Sequence, residues 1–322
     1  MAALLESPPA RIVDLRQLRT GDLDAMLAEE TQAWLDNLDW DFRASASLVR
    51  RFLDMQALHG CALLMNGYPV GYGYFVSEEH KGLIGDLYVM KDFASMENEA
   101  ALLDSVVERL MATPFVKRIE SQLMMLRSGP ALRLPHKQHA RAHMRTFMEI
   151  DLSELERLPP PKSPPPVVLD GWTERKQDDA GALIADAYRG HIDSQINDQY
   201  RSPAGARRFL LNIIQYPGCG SFFQPASFVA LELGSARLCG ICLSSLVNAD
   251  VGHITQVCVS RAIRGTGVGY QLIRRSLESL ARHGCRKASL TVTAANTEAI
   301  QLYERMGFRR TRSFAAYVWE GF

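Results

Sequence analysis

Arg264-Gly265-Thr266-Gly267-Val268-Gly269 is the stretch whose reading decides the fold. Glycine at alternate positions removes the side chains that would keep an anion away from the backbone. Before the run, His253-Ile-Thr-Gln-Val-Cys-Val259 is short and β-branched and reads as a strand. After it, Val268, Leu272, Leu277, Leu280 and Ala281 recur at helical spacing until Gly284. Strand, glycine turn and helix start together gather free N–H groups and the positive end of a helix dipole at one point, where a phosphate is expected. A P-loop would close on Gly-Lys-Ser/Thr, whereas Gly269 is followed by Tyr270 and Gln271. A dinucleotide-binding turn would need glycine where Tyr270 stands.

Further along, Ala288-Ser-Leu-Thr-Val-Thr293 reads as a second strand, and Asn296 precedes a helix, Thr297-Glu-Ala-Ile-Gln-Leu-Tyr303-Glu-Arg-Met306, that stops at Gly307-Phe308. The hexapeptide Arg-x-x-Gly-x-Gly closely resembles the pyrophosphate loop of the GNAT superfamily of N-acetyltransferases, which bind acetyl-coenzyme A. Asn-x-x-Ala-x-x-x-Tyr-x-x-x-Gly-Phe, Asn296 to Phe308, is similar to the second hallmark of that superfamily. The two signatures stand in the expected order and at the expected distance, over about His253 to Phe308.

The resemblance implies a site. Arg264, Gly265, Thr266, Gly267, Val268 and Gly269 would hold the coenzyme's pyrophosphate. The strand through Val257 and Val259 would bond its pantetheine arm, with the N–H of Val257 or a neighbour polarising the acetyl carbonyl. Asn296 would bond the coenzyme, the alternative being a helix cap. Tyr303 would lie near the coenzyme sulfur and protonate the departing thiolate, the alternative being a packed aromatic. His253 stands where some relatives carry a base carboxylate, with Glu232 and Asp250 as rivals and a water relay as a further option. Arg261, Arg264, Arg274 and Arg275 cluster around the loop. The polar and aromatic segment Tyr188–Tyr200 is the expected acceptor wall. The pattern calls for no metal.

The chain has 322 residues, with 36 basic and 36 acidic side chains. That balance argues against a general nucleic-acid or membrane-surface binder. No apolar run reaches the length of a membrane span, and no secretory leader is read at the amino terminus, so a cytoplasmic address is expected. The six cysteines are scattered, and Cys239-Gly-Ile-Cys242 falls within a strand, where a redox pair is not expected.

Leu158-Pro-Pro-Pro-Lys-Ser-Pro-Pro-Pro-Val167 reads as a stiff linker, which divides the chain into domains 1–157 and 168–322. The halves look like copies offset by roughly 170 residues. Gly71 among its strands corresponds to Gly240, Leu87-Tyr-Val89 to Val257-Cys-Val259, and Val116–Leu123 to Cys285–Val292. The first copy has lost the glycine loop, reading Asp92-Phe-Ala-Ser-Met-Glu97-Asn-Glu99 instead. The fold expectation is therefore α/β: two tandem GNAT-like domains, each a mixed, mostly antiparallel sheet flanked by helices. The arrangement also resembles the two-domain, mycothiol-synthase type of member. The expected function is acetyl transfer from acetyl-coenzyme A to a small-molecule or peptide amine by the second domain. The alternative is a coenzyme-A-binding regulatory or scaffold protein without turnover.

Overall fold

The computed structural model describes residues 10–159, 167–216 and 218–322, so most of the expected linker, residues 160–166, lies outside the described residues. The chain forms two compact units. The first takes the described residues up to Leu38, together with Phe42–Met144 and Phe314–Phe322; the second takes Asp39–Asp41 and Arg145–Ser313. This grouping differs from a cut at the proline-rich stretch. Arg145–Asp151 pair with a strand of the second unit, and Ala316–Glu320 pair with a strand of the first.

In the first unit, β1 (Arg11–Asp14), α1 (Asp24–Leu38), α2 (Arg43–Asp54), β2 (His59–Met65), β3 (Tyr68–Glu78), β4 (Lys81–Val89), α3 (Met96–Met111) and β5 (Arg118–Gln122) follow one another. The β2–β3 hairpin turns on Asn66-Gly67, both at positive φ (54° and 83°), the backbone that a two-residue hairpin requires. Neighbouring strands are antiparallel except β4 and β5, which run parallel. Leu102, Leu103, Val106, Val107 and Leu110 of α3 repeat at helical spacing and bury one stripe against Leu63, Leu87 and Ile119 of the sheet. β6 (Ala140–Asp151) begins in this unit and ends in the second.

The second unit continues with β7 (Val167–Gly171), α4 (Gln177–Ala187), α5 (Asp193–Ile196), α6 (Pro203–Gln215), β8 (Ser221–Phe222), β9 (Phe228–Glu232), β10 (Leu238–Asn248), β11 (Val251–Val259), α7 (Val268–Arg282), β12 (Lys287–Thr293) and α8 (Thr297–Arg305). The last strand, β13 (Arg309–Glu320), starts here and ends in the first unit. The strand order β6-β12-β11-β10-β9-β7 is antiparallel throughout except for the parallel β11·β12 pair. One face is covered by α7 and α8, through Leu272, Ile273, Leu277, Leu280, Ile300 and Tyr303. The other is covered by α4 and α6, through Leu183, Ile184, Ala206 and Leu210. Each buried leucine contributes roughly 1.5–3 kcal/mol. Asp178 and Asp179 lie in the first turn of α4, where their charge favours the helix dipole.

The two units repeat one plan in their registers. Gly71 pairs with Val89, and Gly240 pairs with Val259. A Cβ on Gly82 would stand 2.5 Å from Leu110 Cδ2, and one on Gly252 would stand 2.5 Å from Leu280 Cδ1. Both members of that contact are displaced by the same interval along the chain, so each helix packs on its sheet through the same bare backbone position.

Candidate active site

The parallel pair β11·β12 holds together only over Val251–Ile254 and Lys287–Leu290. Beyond Ile254 the strands part. The cause lies on β11: between Leu243↔Gln256 and Ser244↔Ile254 the register shifts, leaving Thr255 as an extra residue. Such a bulge bends and twists its strand, and here it turns β11 away from β12. The Thr255 hydroxyl donates to Leu243 O at 3.0 Å and pins the bulge to β10. The N–H of Ser260 donates to Cys239 O at 2.8 Å. In this register the hydrogen-bonded pairs are then Ile241/Cys258 and Leu243/Gln256. Val257 and Val259 fall between them, so their N–H and C=O groups point away from β10 and into the fork. Their side chains are half-buried against the α7–α8 core.

At the base of the fork, Gly265 and Gly267 have φ of +79° and +89°, a left-handed backbone that costs other residues about 1–2 kcal/mol. Gly267 is the N-cap of α7, and the first turn carries no side-chain cap and no acidic residue. The helix's first backbone bond runs from Gln271 N–H to Gly267 O at 3.0 Å. Among the described residues, the N–H groups of Gly265, Gly267, Val268, Gly269 and Tyr270 donate to no carbonyl of the chain. Thr266 turns its hydroxyl inward to Ile263 O at 2.7 Å. Gly269 differs from the other two glycines: a Cβ there would meet Val259 Cγ2 at 3.6 Å, an ordinary contact. The fold does not demand glycine at that position.

The arginines expected around the loop are engaged by protein. Arg264 donates to Ala187 O at 2.7 Å, and Arg261 donates to Arg189 O, so both tie the loop to the carboxy-terminal end of α4. Free carbonyls at a helix end are natural partners for a guanidinium. Arg274 pairs with Glu278 at 2.9 Å, and Arg275 lies over the Phe228 ring. The groups that the loop leaves open are thus its backbone N–H groups.

On the other arm, Tyr303 is buried in α8, edge-on to Phe308 at 5.9 Å. Burial raises its pKa well above the usual phenol value and keeps the hydroxyl protonated. Among the described residues that hydroxyl makes no hydrogen bond with the chain, and it is not sealed from solvent. Asn296 serves as the cap: its side-chain oxygen accepts from Ala299 N–H at 3.3 Å, and its Nδ2 faces His191 Nε2 at 3.3 Å.

His253 lies elsewhere than a base would need to be. It is on the closed part of β11, opposite Ser289, below the bulge. Its Nδ1 is 2.8 Å from Ser289 Oγ, its ring is edge-on to Trp40 at 5.0 Å, and it stacks on Phe147 at 6.1 Å. Burial pushes its pKa down to about 3. Glu232, at the end of β9, is bonded to Arg237 at 2.8 Å, and Asp250, in the turn between β10 and β11, to Arg286 at 2.8 Å.

The polar groups that do meet at the fork come from the expected acceptor wall and from Arg145. The Tyr200 hydroxyl donates to Gln256 Oε1 at 3.1 Å, Gln256 Nε2 donates to the Tyr188 hydroxyl at 3.1 Å, and Tyr188 donates to Val257 O at 3.3 Å. The two tyrosine rings stack at 4.4 Å. Arg145 Nη1 donates to Asp193 Oδ1 at 3.2 Å and to Thr293 Oγ1 at 2.6 Å, and Thr293 Oγ1 donates to Asp193. Sequence reasoning missed Arg145 because it precedes the proline-rich stretch and so was assigned to the other domain. His191 and Asp193 carried the weak signal of a polar run and no motif.

The first unit has the same fork without the same lining. β4 and β5 pair only over Lys81–Ile84 and Arg118–Ser121. Where the second unit has Gly269 in the first turn of α7, the first has Glu99 in the first turn of α3, buried. Its carboxylate accepts from the N–H groups of Arg127 and Ser128, each at 2.8 Å. Ser95 caps α3 with its own side chain, accepting from Asn98 N–H at 3.1 Å. A protein carboxylate and a serine cap therefore occupy the positions that glycine leaves open in the second unit.

Residues 194–308 match the family model described as acetyltransferase (GNAT) family. Mycothiol acetyltransferase of Corynebacterium glutamicum is 40% identical over 68 residues, 21% of this chain and 23% of that protein, so the match spans about a quarter of that relative. A GCN5-related N-acetyltransferase from Sphaerobacter thermophilus has a similar structure, with a TM-score of 0.66 at 20% identity over 97% of this chain and 95% of that one. A tandem GNAT protein from the clavulanic acid biosynthesis pathway superposes with a TM-score of 0.58 at 17% identity, over 97% and 98% of the two chains. These likenesses extend over both units and show a shared fold.

Proposed function

Because residues 194–308 match the acetyltransferase (GNAT) family model, we propose that the second unit transfers an acetyl group from acetyl-coenzyme A to an amine. The observation that carries this reading is the pairing of two open backbone surfaces. Val257 and Val259 turn N–H groups into the fork, and the start of α7 offers uncapped N–H groups at left-handed glycines. The first surface suits an amide-bearing arm and the second a pyrophosphate. The coenzyme supplies the activated thioester. The Val257 N–H is the donor for the carbonyl oxygen as charge develops there. Tyr303, held protonated by burial, gives its proton to the departing sulfur.

The acceptor is a small-molecule or peptide amine reaching the fork past Tyr188 and Tyr200. All six cysteines are free thiols, which fits a reducing, cytoplasmic setting. Among the described residues, no helix is long and apolar enough to cross a membrane.

The test is thiol release from acetyl-coenzyme A across a panel of amines, with calorimetry of coenzyme binding alongside. Tyr303→Phe should lower turnover by about a hundred- to ten-thousand-fold with little change in coenzyme affinity. Coenzyme binding without release for any amine would favour the scaffold reading instead.

A further inference from the structure

Acetyl transfer requires the acceptor ammonium to shed a proton, and neither Tyr303 nor the buried His253 can take it. Resting on the acetyl-transfer reading above, we propose that His191, oriented by Asp193, is the general base of the second unit.

His191 sits in the segment that joins α4 to α5, and this segment spans both arms of the fork. On the β11 arm, Tyr188 bonds Val257 O and meets the His191 ring edge-on at 5.2 Å. On the other arm, His191 Nε2 faces Asn296, the cap of α8, and Asp193 is bonded to Thr293 at the end of β12. The imidazole therefore stands between the backbone that would hold the thioester carbonyl and the helix that carries Tyr303. Its side chain keeps 24% of its surface exposed, so an acceptor can reach it.

The surroundings favour a neutral ring. The Asp193 N–H points at Nδ1 from 3.2 Å, and the Asn296 amide points at Nε2 from 3.3 Å. Two donors aimed at the two nitrogens oppose a ring that carries protons on both. Burial and the nearby cations of Arg264 and Arg261 push the pKa down, while the Asp193 carboxylate pulls it up. Asp193 Oδ2 lies 3.7 Å from Nδ1, in place to face the imidazolium once it forms. The carboxylate is itself fixed, since Oδ1 accepts from Thr293 and from Arg145 of β6.

The proton balance closes. The ammonium N–H breaks as the unprotonated ring nitrogen of His191, Nδ1 in the tautomer that accepts from the Asp193 N–H, gains a proton, which then passes to water. The freed amine attacks the carbonyl carbon, and the C–S bond breaks as Tyr303 protonates the sulfur. The nitrogen's second proton restores the phenol.

The test uses the full-length chain. The wild-type rate should rise with pH along one limb whose midpoint lies below the ordinary histidine value of about 6.5. His191→Gln should abolish that limb and lower turnover about a hundred- to ten-thousand-fold, with coenzyme affinity by calorimetry unchanged. Asp193→Asn should move the limb to lower pH. In labelled-histidine NMR the same substitution should lower the His191 midpoint, a readout that does not depend on turnover. A wild-type chain that releases thiol while His191→Gln keeps its limb and its rate overturns this assignment alone. A wild-type chain that binds coenzyme yet releases no thiol overturns acetyl transfer and the base together.

Discussion

At His253 the imidazole is enclosed by Trp40, Phe147 and Ser289, and burial drives its pKa down to about 3. The unfolded chain binds a proton there below about 6.5, whereas the folded chain stays neutral until far lower. The site's contribution to stability is therefore complete above about pH 6.5 and is lost as pH falls, at about 1.4 kcal/mol per unit. Between pH 7 and 5 that amounts to about 2 kcal/mol. Urea unfolding at the two pH values should show His253→Gln with a shallower pH dependence than wild type by that amount. Equal slopes would mean that the ring is not kept neutral by the fold. The sequence placed His253 correctly on a strand, four residues before Val257. Its surroundings were not legible, because Trp40 and Phe147 come from segments more than a hundred residues away and no local pattern links them to β11. His191 was hidden as well, because Asn296 is 105 residues away and the contact with nearby Asp193 leaves no spacing signature.

For α7, local chemistry was enough. Glycine punctuation and the stripe Leu272, Leu277, Leu280 identify a helix that starts at Val268 and ends before Gly284, and the strand before it was equally plain. The fork was not, because it depends on one extra residue, Thr255, seen only against the register of β10. The Arg264 side chain was expected near phosphate and lies on Ala187 O, since the end of α4 offers a carbonyl that nothing in the loop's own sequence announces. The element also separates two kinds of glycine. Gly267→Ala forces a left-handed alanine and should destabilise by about 1–2 kcal/mol. Gly269→Ala sits in the helical first turn with an ordinary 3.6 Å contact to Val259, and should leave the melting temperature unchanged or raise it. Yet Gly269→Ala should weaken coenzyme binding, because it adds a methyl group beside Val259 on the helical turn whose N–H groups are proposed to hold the pyrophosphate. Scanning calorimetry of both variants beside coenzyme titrations checks this. Unchanged affinity in Gly269→Ala would show that the third glycine has no part in binding.

Across the whole chain, duplication was readable as a constant offset, and the two registers agree with it down to the Gly82–Leu110 and Gly252–Leu280 contacts. What no offset could show is that β6 and β13 are each divided between units, since strand pairing is set by non-local contacts. The copies have also diverged where it matters for ligands. Gln256 of the second unit is neutral and bonded to two tyrosines. The matching Asp86 of the first is buried beside Glu30, and burial raises the pKa of both. Glu99 adds a carboxylate in place of Gly269, already satisfied by two backbone N–H groups. Bringing a pyrophosphate to that point would set like charges together and leave those N–H groups without their acceptor, each such loss costing about 1–3 kcal/mol. The first unit should therefore bind no coenzyme, and titration calorimetry should give one coenzyme per chain. Gly267→Glu in the second unit should take that number to zero while circular dichroism still shows a folded protein. A stoichiometry of two in the wild-type chain, or one surviving site in Gly267→Glu, would mean that the first fork accepts the coenzyme in spite of its carboxylate.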